Sequence, residues 1–361
     1  MALTLLLAWA LAGTAQARPE ITAKPPPHTI IFPIVGGASY ENDFGDPRGQ
    51  GSHQGNDLMA SWKSPVVAVE AGKVRIYKGS GSAGCMLYLY GASGTTYLYI
   101  HLNNDLTAKN DNKGSCKPGI AFAEGLRDGQ RVRGGQLIGY VGDSGDANGV
   151  GHHLHFELHP GNRSAVSPYP WLRRANRVLF PYTPSLRKPA GSVTLTLTGK
   201  LTAVDLAAPV EPEQPEQPPE QPPEQPPEQP EQPAEPGGPA EPPGSPEASG
   251  PDVPVIVGGQ DGTPPGRDAA LGAGSTITVR VTSVRLSTGG SYRVTKTVKL
   301  TLTADVTVKR VKNGGEAGAK PGALKAGTKV AVTTTSLDLT LEEQLGKTGA
   351  LAAARIVIRA A

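Results

Sequence analysis

The stretch from Pro209 to Pro254 limits this chain more than any other feature: 18 of its 46 positions are proline, 11 are Asp or Glu, and none is Lys or Arg. Its repeating Glu-Gln-Pro-Pro favours polyproline II and lacks the apolar residues that a core requires. The segment therefore reads as a disordered linker, able to reach about 140 Å if fully extended. A single uniform globular body is not expected. Charge divides at the same place. The whole chain is +3, but outside the linker 35 basic residues stand against 21 acidic ones. Basic folded parts favour anionic partners, such as nucleic acid, a membrane surface or an anionic cell wall.

The amino terminus narrows that choice. Leu3 to Leu11 is nearly all apolar, and Ala15-Gln16-Ala17 supplies a small-x-small cleavage pattern before Arg18-Pro19. Residues 1–17 read as a secretory signal peptide. No run approaches the ~20 apolar residues of a membrane span, and no Cys follows at a lipoprotein position. The expected location is exported: periplasm, cell envelope or extracellular. In such a compartment the two cysteines, Cys85 and Cys116, suggest one disulfide.

The expected fold is mainly β. Residues 18–186 form one domain, 187–208 a short β extension, 209–254 the linker and 255–361 a C-terminal all-β domain. In the first domain Val66–Val69, Lys73–Tyr77, Met86–Tyr90, Thr95–His101, Gln136–Val141 and His153–Leu158 are short, strand-like and separated by Gly-containing turns. No long segment has helical apolar spacing, so the sheet is expected to be antiparallel. In the last domain Val298, Leu300, Leu302, Val306 and Val308 alternate with Lys299, Thr301, Thr303, Thr307 and Lys309. This predicts a small barrel or sandwich. That domain has no His and no Cys, and Tyr292 is its sole aromatic residue, so it offers no stacking platform for nucleic acid.

Three fragments carry chemistry: His53-Gln54-Gly55-Asn56-Asp57, Tyr99-Ile100-His101-Leu102 and His152-His153-Leu154-His155-Phe156-Glu157. In a strand, His153 and His155 share one face and His152 takes the other. Two imidazoles on one face, with a carboxylate and a third imidazole from His53 and Asp57, suit a zinc site with one place left open. His28 and His159 have no evident partners and read as surface residues.

Taken in order, these motifs resemble the lysostaphin-type (LytM-like) zinc metallopeptidase family of peptidoglycan endopeptidases. The resemblance runs from about Phe32 to Tyr169. It includes Asn42-Asp43-Phe44-Gly45-Asp46-Pro47-Arg48-Gly49, Pro65–Val74 and Gly135–Gly142 with Ser144-Gly145. It implies an antiparallel-sheet metallopeptidase domain, with His53, Asp57 and His155 as Zn2+ ligands and His101 and His153 as catalytic histidines. It further implies hydrolysis of peptide cross-links of peptidoglycan by a metal-activated water. His152 departs from the family pattern as a decoy ligand on the wrong strand face. The segment Asn103–Leu126 is longer than usual, and a Cys85–Cys116 disulfide would pin it beside the site.

Two other readings remain open at this level. One is a non-catalytic cell-wall-binding module that regulates another hydrolase; the other is a zinc endopeptidase acting on proteins. The C-terminal domain reads either as a wall- or envelope-binding module or as a spacer or stability module. The expected partner is the peptide cross-link of the wall, with no nucleic acid, no stable membrane span and a monomeric state.

Overall fold

The computed structural model of the chain describes residues 29–49, 51–184, 193–207 and 274–359. The leader expected at 1–17, His28 and the Pro-rich run at 209–254 lie outside the described residues.

The first part is built from short strands. β1 (Pro47–Arg48) and β2 (Gly51–Ser52) make a small ribbon that leads into β3 (Asn56–Met59). β4 (Pro65–Val67), β5 (Gly72–Ser80), β6 (Gly84–Gly91) and β7 (Thr95–Leu102) follow, then β8 (Arg131–Val132), β9 (Leu137–Tyr140), β10 (His153–Pro160) and the short helix α1 (Tyr169–Arg174). Six of these strands form one antiparallel sheet in the order β3-β10-β7-β6-β5-β8, and β4 pairs with β9 in a second, smaller sheet. The expected antiparallel β domain is therefore what the chain forms.

Period-two alternation explains which face is which. In β10, Leu154, Phe156 and Leu158 are fully buried, while His155 and Glu157 point to the opposite face. The buried side packs Tyr97, Tyr99, Phe156, Phe32 and Phe122 into one core. Two tyrosine hydroxyls in that core are satisfied: Tyr97 donates to Glu70 Oε1 at 2.7 Å, and Tyr99 accepts from the Val69 amide at 3.0 Å. Cys85 and Cys116 are bonded, which ties β6 to the long loop after β7.

The remaining strands are β11 (Leu195–Asp205), β12 (Thr276–Leu286), β13 (Ser291–Lys312), β14 (Gly315–Gly318), β15 (Lys329–Thr334) and, after helix α2 (Leu341–Leu345), β16 (Ala352–Ile358). They run in the order β12-β11-β15-β16-β13-β14, and β12 also pairs with β13. Five of them thus close into a barrel, with one parallel pair, β13–β16. Ile277, Val279, Val281, Val298 and Leu300 fill it, all fully buried.

One difference from the sequence reading is large. The segment set apart as a short extension is a barrel strand, because β11 pairs with both β12 and β15. Asp205 and Thr276 are register partners, so the Pro-rich run joins two neighbouring strands of one barrel instead of separating two bodies. Strand pairing across so long an insertion leaves no local sequence signal. The barrel also shares its apolar core with Ile31, Val35 and Val178–Phe180 of the first part. There the Leu179 amide donates to the Gln344 carbonyl at 2.6 Å, and Arg133 Nη2 donates to the Leu339 carbonyl at 2.9 Å.

Candidate metal centre

Three elements converge on one face of the main sheet. The loop after β2 supplies His53, β3 supplies Asp57 and β10 supplies His155. In the antiparallel register Asp57 lies opposite His155, so the pair is set by strand pairing alone. Gly55 makes room for the crossing: a Cβ there would lie 2.5 Å from the Phe156 carbonyl oxygen and 2.9 Å from His155 Nε2.

The ligand atoms are close. His53 Nε2 is 2.9 Å from His155 Nδ1 and 3.2 Å from Asp57 Oδ1, and His155 Nδ1 is 3.0 Å from the same oxygen. The outer nitrogens decide the tautomers. His53 Nδ1 lies 2.8 Å from the Asp43 carbonyl oxygen, which can only accept, so the proton sits on Nδ1. Arg48 Nη2 also comes within 3.1 Å of that nitrogen, but its better contact is donation to Asp57 Oδ2 at 2.9 Å. His155 Nε2 donates to Glu157 Oε1 at 3.1 Å. Deprotonated on their inner sides, both rings would turn lone pairs toward each other and toward the Asp57 carboxylate.

Without a metal, a second proton on His155 takes the place that an ion would fill. Burial works against the Asp57 charge, but hydrogen bonds from His155 and His53 outweigh it and hold its carboxyl well below the usual range. Burial likewise opposes a charged His155, yet Asp57 and Glu157 raise it to about 9. Glu157 follows the same logic: burial raises it, and His155 and His159 bring it down to about 2.

His101 and His153 stand beside this group. The His101 and His153 rings are 5.1 Å apart, and His153 Nε2 is 3.8 Å from Asp57 Oδ1. His101 reaches the site through an irregularity. Its φ is +59°, in the left-handed region that few non-glycine residues adopt. The β6–β7 register shifts beside it, and Tyr97, Tyr99 and Leu102 all enter the same core. One extra residue has been inserted between Tyr99 and Leu102, a bulge that re-aims a side chain that plain alternation would bury. His101 Nδ1 donates to the Ser144 carbonyl at 2.8 Å, and His153 Nδ1 donates to the Gly151 carbonyl at 2.8 Å. Burial, then the neighbouring His153, lowers His101 to about 4, so it is neutral near pH 7. Gly145 holds the Ser144 turn: its φ is +81°, and a Cβ would press on the Ser82 carbonyl.

All five residues singled out in the sequence thus meet in one place. Four others were not given roles there. Asp43 anchors the His53 ring and also accepts from Asn56 Nδ2 at 2.6 Å and from the Asp57 amide at 3.2 Å. Arg48 holds Asp57, and Glu157 holds His155. His159, read as a surface residue, donates from Nε2 to Glu157 Oε2 at 2.7 Å. The signal for Glu157 and His159 was their parity with His155 along one strand. Asp43 and Arg48 lay within a quoted motif but could not be aimed without the ribbon β1–β2. His152 points away from the site, as its strand parity requires, and lies 3.9 Å from Asp105.

Residues 120–168 match the profile of Peptidase family M23. The matched segment includes His153 and His155; the fold brings His53, Asp57 and His101 to them from earlier strands. The chain is 30% identical over 161 residues to the L-Ala–D-Glu endopeptidase of Bacillus subtilis, covering 42% of this chain and 44% of that protein. It is 31% identical over 133 residues to the DD-carboxypeptidase/endopeptidase Mpg of Neisseria meningitidis, covering 36% and 26%. The chain thus spans less than half the length of either curated relative. The catalytic domain of the antimicrobial peptidase lysostaphin from Staphylococcus simulans aligns at 24% identity and a TM-score of 0.30, over 38% of this chain and 92% of that one.

Proposed function

From the peptidase M23 domain that the chain carries, we propose that it is an exported zinc endopeptidase that hydrolyses peptide cross-links of bacterial peptidoglycan. The observation that carries this reading is the convergence of His53 Nε2, Asp57 Oδ1 and His155 Nδ1 at mutual distances of 2.9–3.2 Å. A tetrahedral zinc with bonds near 2.0 Å sets its ligands about 3.3 Å apart, so the donor set fits the ion in type and in spacing. His53, Asp57 and His155 would hold it. Zinc bound there supplies a Lewis acid for the peptide carbonyl and lowers the pKa of water toward ~7.

The chain's own groups supply the rest. Glu157 and the Asp43 carbonyl keep the His155 and His53 lone pairs aimed inward. His101 and His153 each have Nδ1–H tied to a backbone carbonyl, which leaves Nε2 of each ring to accept a proton from the attacking water or, once charged, to donate to the developing oxyanion. A cleft lined by Ser39, Tyr40, Glu41, Arg48 and Met59 opens beside Asp57 and gives an extended peptide a path to the site.

Wall peptide as substrate is supported by the names of the two curated relatives and by the basic excess of the folded parts. Export is supported by the leader-like 1–17 and by the Cys85–Cys116 bond, which persists in oxidising compartments. The barrel acts as a stability module, a role favoured by the apolar core it shares with the first part. Incubating zinc-loaded protein with purified sacculi tests the activity. Release of peptide fragments, abolished by His101→Ala, is the expected result. Zinc-loaded protein that leaves every wall preparation intact while cutting an unstructured protein would replace this reading with a protein-directed endopeptidase.

A further inference from the structure

The opposite face of the same segment holds a second group of ligand atoms. Asp105 and Asp143 are both fully buried. One oxygen of each is anchored: Asp105 Oδ1 accepts from the Asn112 amide at 2.7 Å, and Asp143 Oδ2 accepts from the Gly149 amide at 3.4 Å. The other oxygens, Asp105 Oδ2 and Asp143 Oδ1, have no hydrogen-bond partner, and neither does His152 Nε2. One ligand atom from each of the three residues lies within 4.8 Å of the other two, and His152 Nε2 is 3.9 Å from Asp105 Oδ2. Among the described residues, no Lys or Arg pairs with either carboxylate. Two buried, adjacent carboxylates without a counter-charge are costly, because removing a charge from water must be repaid by a partner.

We propose that Asp105, Asp143 and His152 form a second divalent-cation site, structural in role and suited to zinc. An imidazole nitrogen with two carboxylate oxygens is a mixed donor set that zinc accepts, whereas calcium and magnesium prefer oxygen alone. The location gives the site its purpose. Asp105 follows His101 on the loop after β7, Asp143 precedes the Ser144 carbonyl that holds His101, and His152 precedes His153. A cation here would clamp three segments that position the two proton-handling histidines. Asn112 Nδ2, which donates to Asn148 Oδ1 at 2.8 Å, already bridges two of these segments.

The test is zinc stoichiometry on the full chain, stripped of metal, reloaded with Zn2+ and desalted. Wild type should retain two equivalents per chain, Asp143→Asn one, and His53→Ala one. A wild-type value of one that falls to zero in His53→Ala overturns the proposal, as does an Asp143→Asn protein that still holds two. If Asp143→Asn does not fold, anomalous diffraction at the zinc edge from wild-type crystals decides. A peak between Asp105, Asp143 and His152 supports the site. A peak only between His53, Asp57 and His155 means that a proton shared by the two carboxyls replaces the cation, and the proposal fails. A peak only at Asp105, Asp143 and His152 would leave it standing while removing the catalytic reading of the first centre.

Discussion

His53 Nε2 and His155 Nδ1 face each other at 2.9 Å, and both lie within 3.2 Å of Asp57 Oδ1. Each ring spends its N–H outward, on the Asp43 carbonyl and on Glu157. With the inner nitrogens deprotonated these three groups repel one another unless a positive charge lies among them; without a metal, the charged His155 ring supplies it. A metal entering between them would displace that proton.

Glu157 would act on the proposed metal through His155, whose Nε2 donates to its carboxylate. Glu157→Gln keeps the shape and an acceptor oxygen but removes the charge. Zinc affinity should weaken by about 10- to 100-fold, since such supporting groups typically matter to that extent. Competition with a chelator measures it; unchanged affinity would mean that Glu157 only fills space.

In the proposed mechanism His101 moves protons and binds no metal. His101→Ala should lower turnover by roughly 10²- to 10⁴-fold while zinc content stays at the wild-type level. Loss of the metal in this variant would instead make His101 a ligand.

The barrel strands β11 and β12 flank the Pro-rich run and pair with each other, β11 with β15 as well. A protease site inserted near Gln232 should therefore give two fragments that co-elute under native conditions and part only in denaturant. Fragments that separate without denaturant would mean that the barrel does not hold the chain together.

Lys296 gives a pH signature at the junction of the barrel and the first part. Its Nζ donates to the Arg177 carbonyl at 2.7 Å and closely to the Leu345 carbonyl. Burial, with Lys347 nearby, lowers its pKa from 10.5 to about 8. Between those values the unfolded chain binds a proton that the folded chain has released, so this group adds stability as pH rises. Wild type should gain stability relative to Lys296→Met between pH 8 and 10. Parallel denaturation curves across that range would contradict it.

Much of this was legible in the sequence. The alternation in β10 and β13 gave their buried faces, and the His53, Asp57, His101, His153 and His155 set was visible as ordered motifs. His101's orientation was not, because a bulge is a property of two strands and shows only when β6 is laid beside β7. Nor was the grouping of Asp105 and Asp143 with His152, which depends on three loops meeting. The pairing of β11 with β12 was hidden for the same reason: the run between Asp205 and Thr276 separates partners that touch. Local chemistry was readable, whereas contacts between distant segments needed the fold.

The most direct test of the central claim is mass spectrometry of peptidoglycan digested by the zinc-loaded full-length protein. The account predicts soluble fragments with a newly exposed amino terminus within the wall peptide, absent after chelation and restored by added zinc. Zinc-loaded protein that yields no new peptide termini from any wall preparation would contradict it.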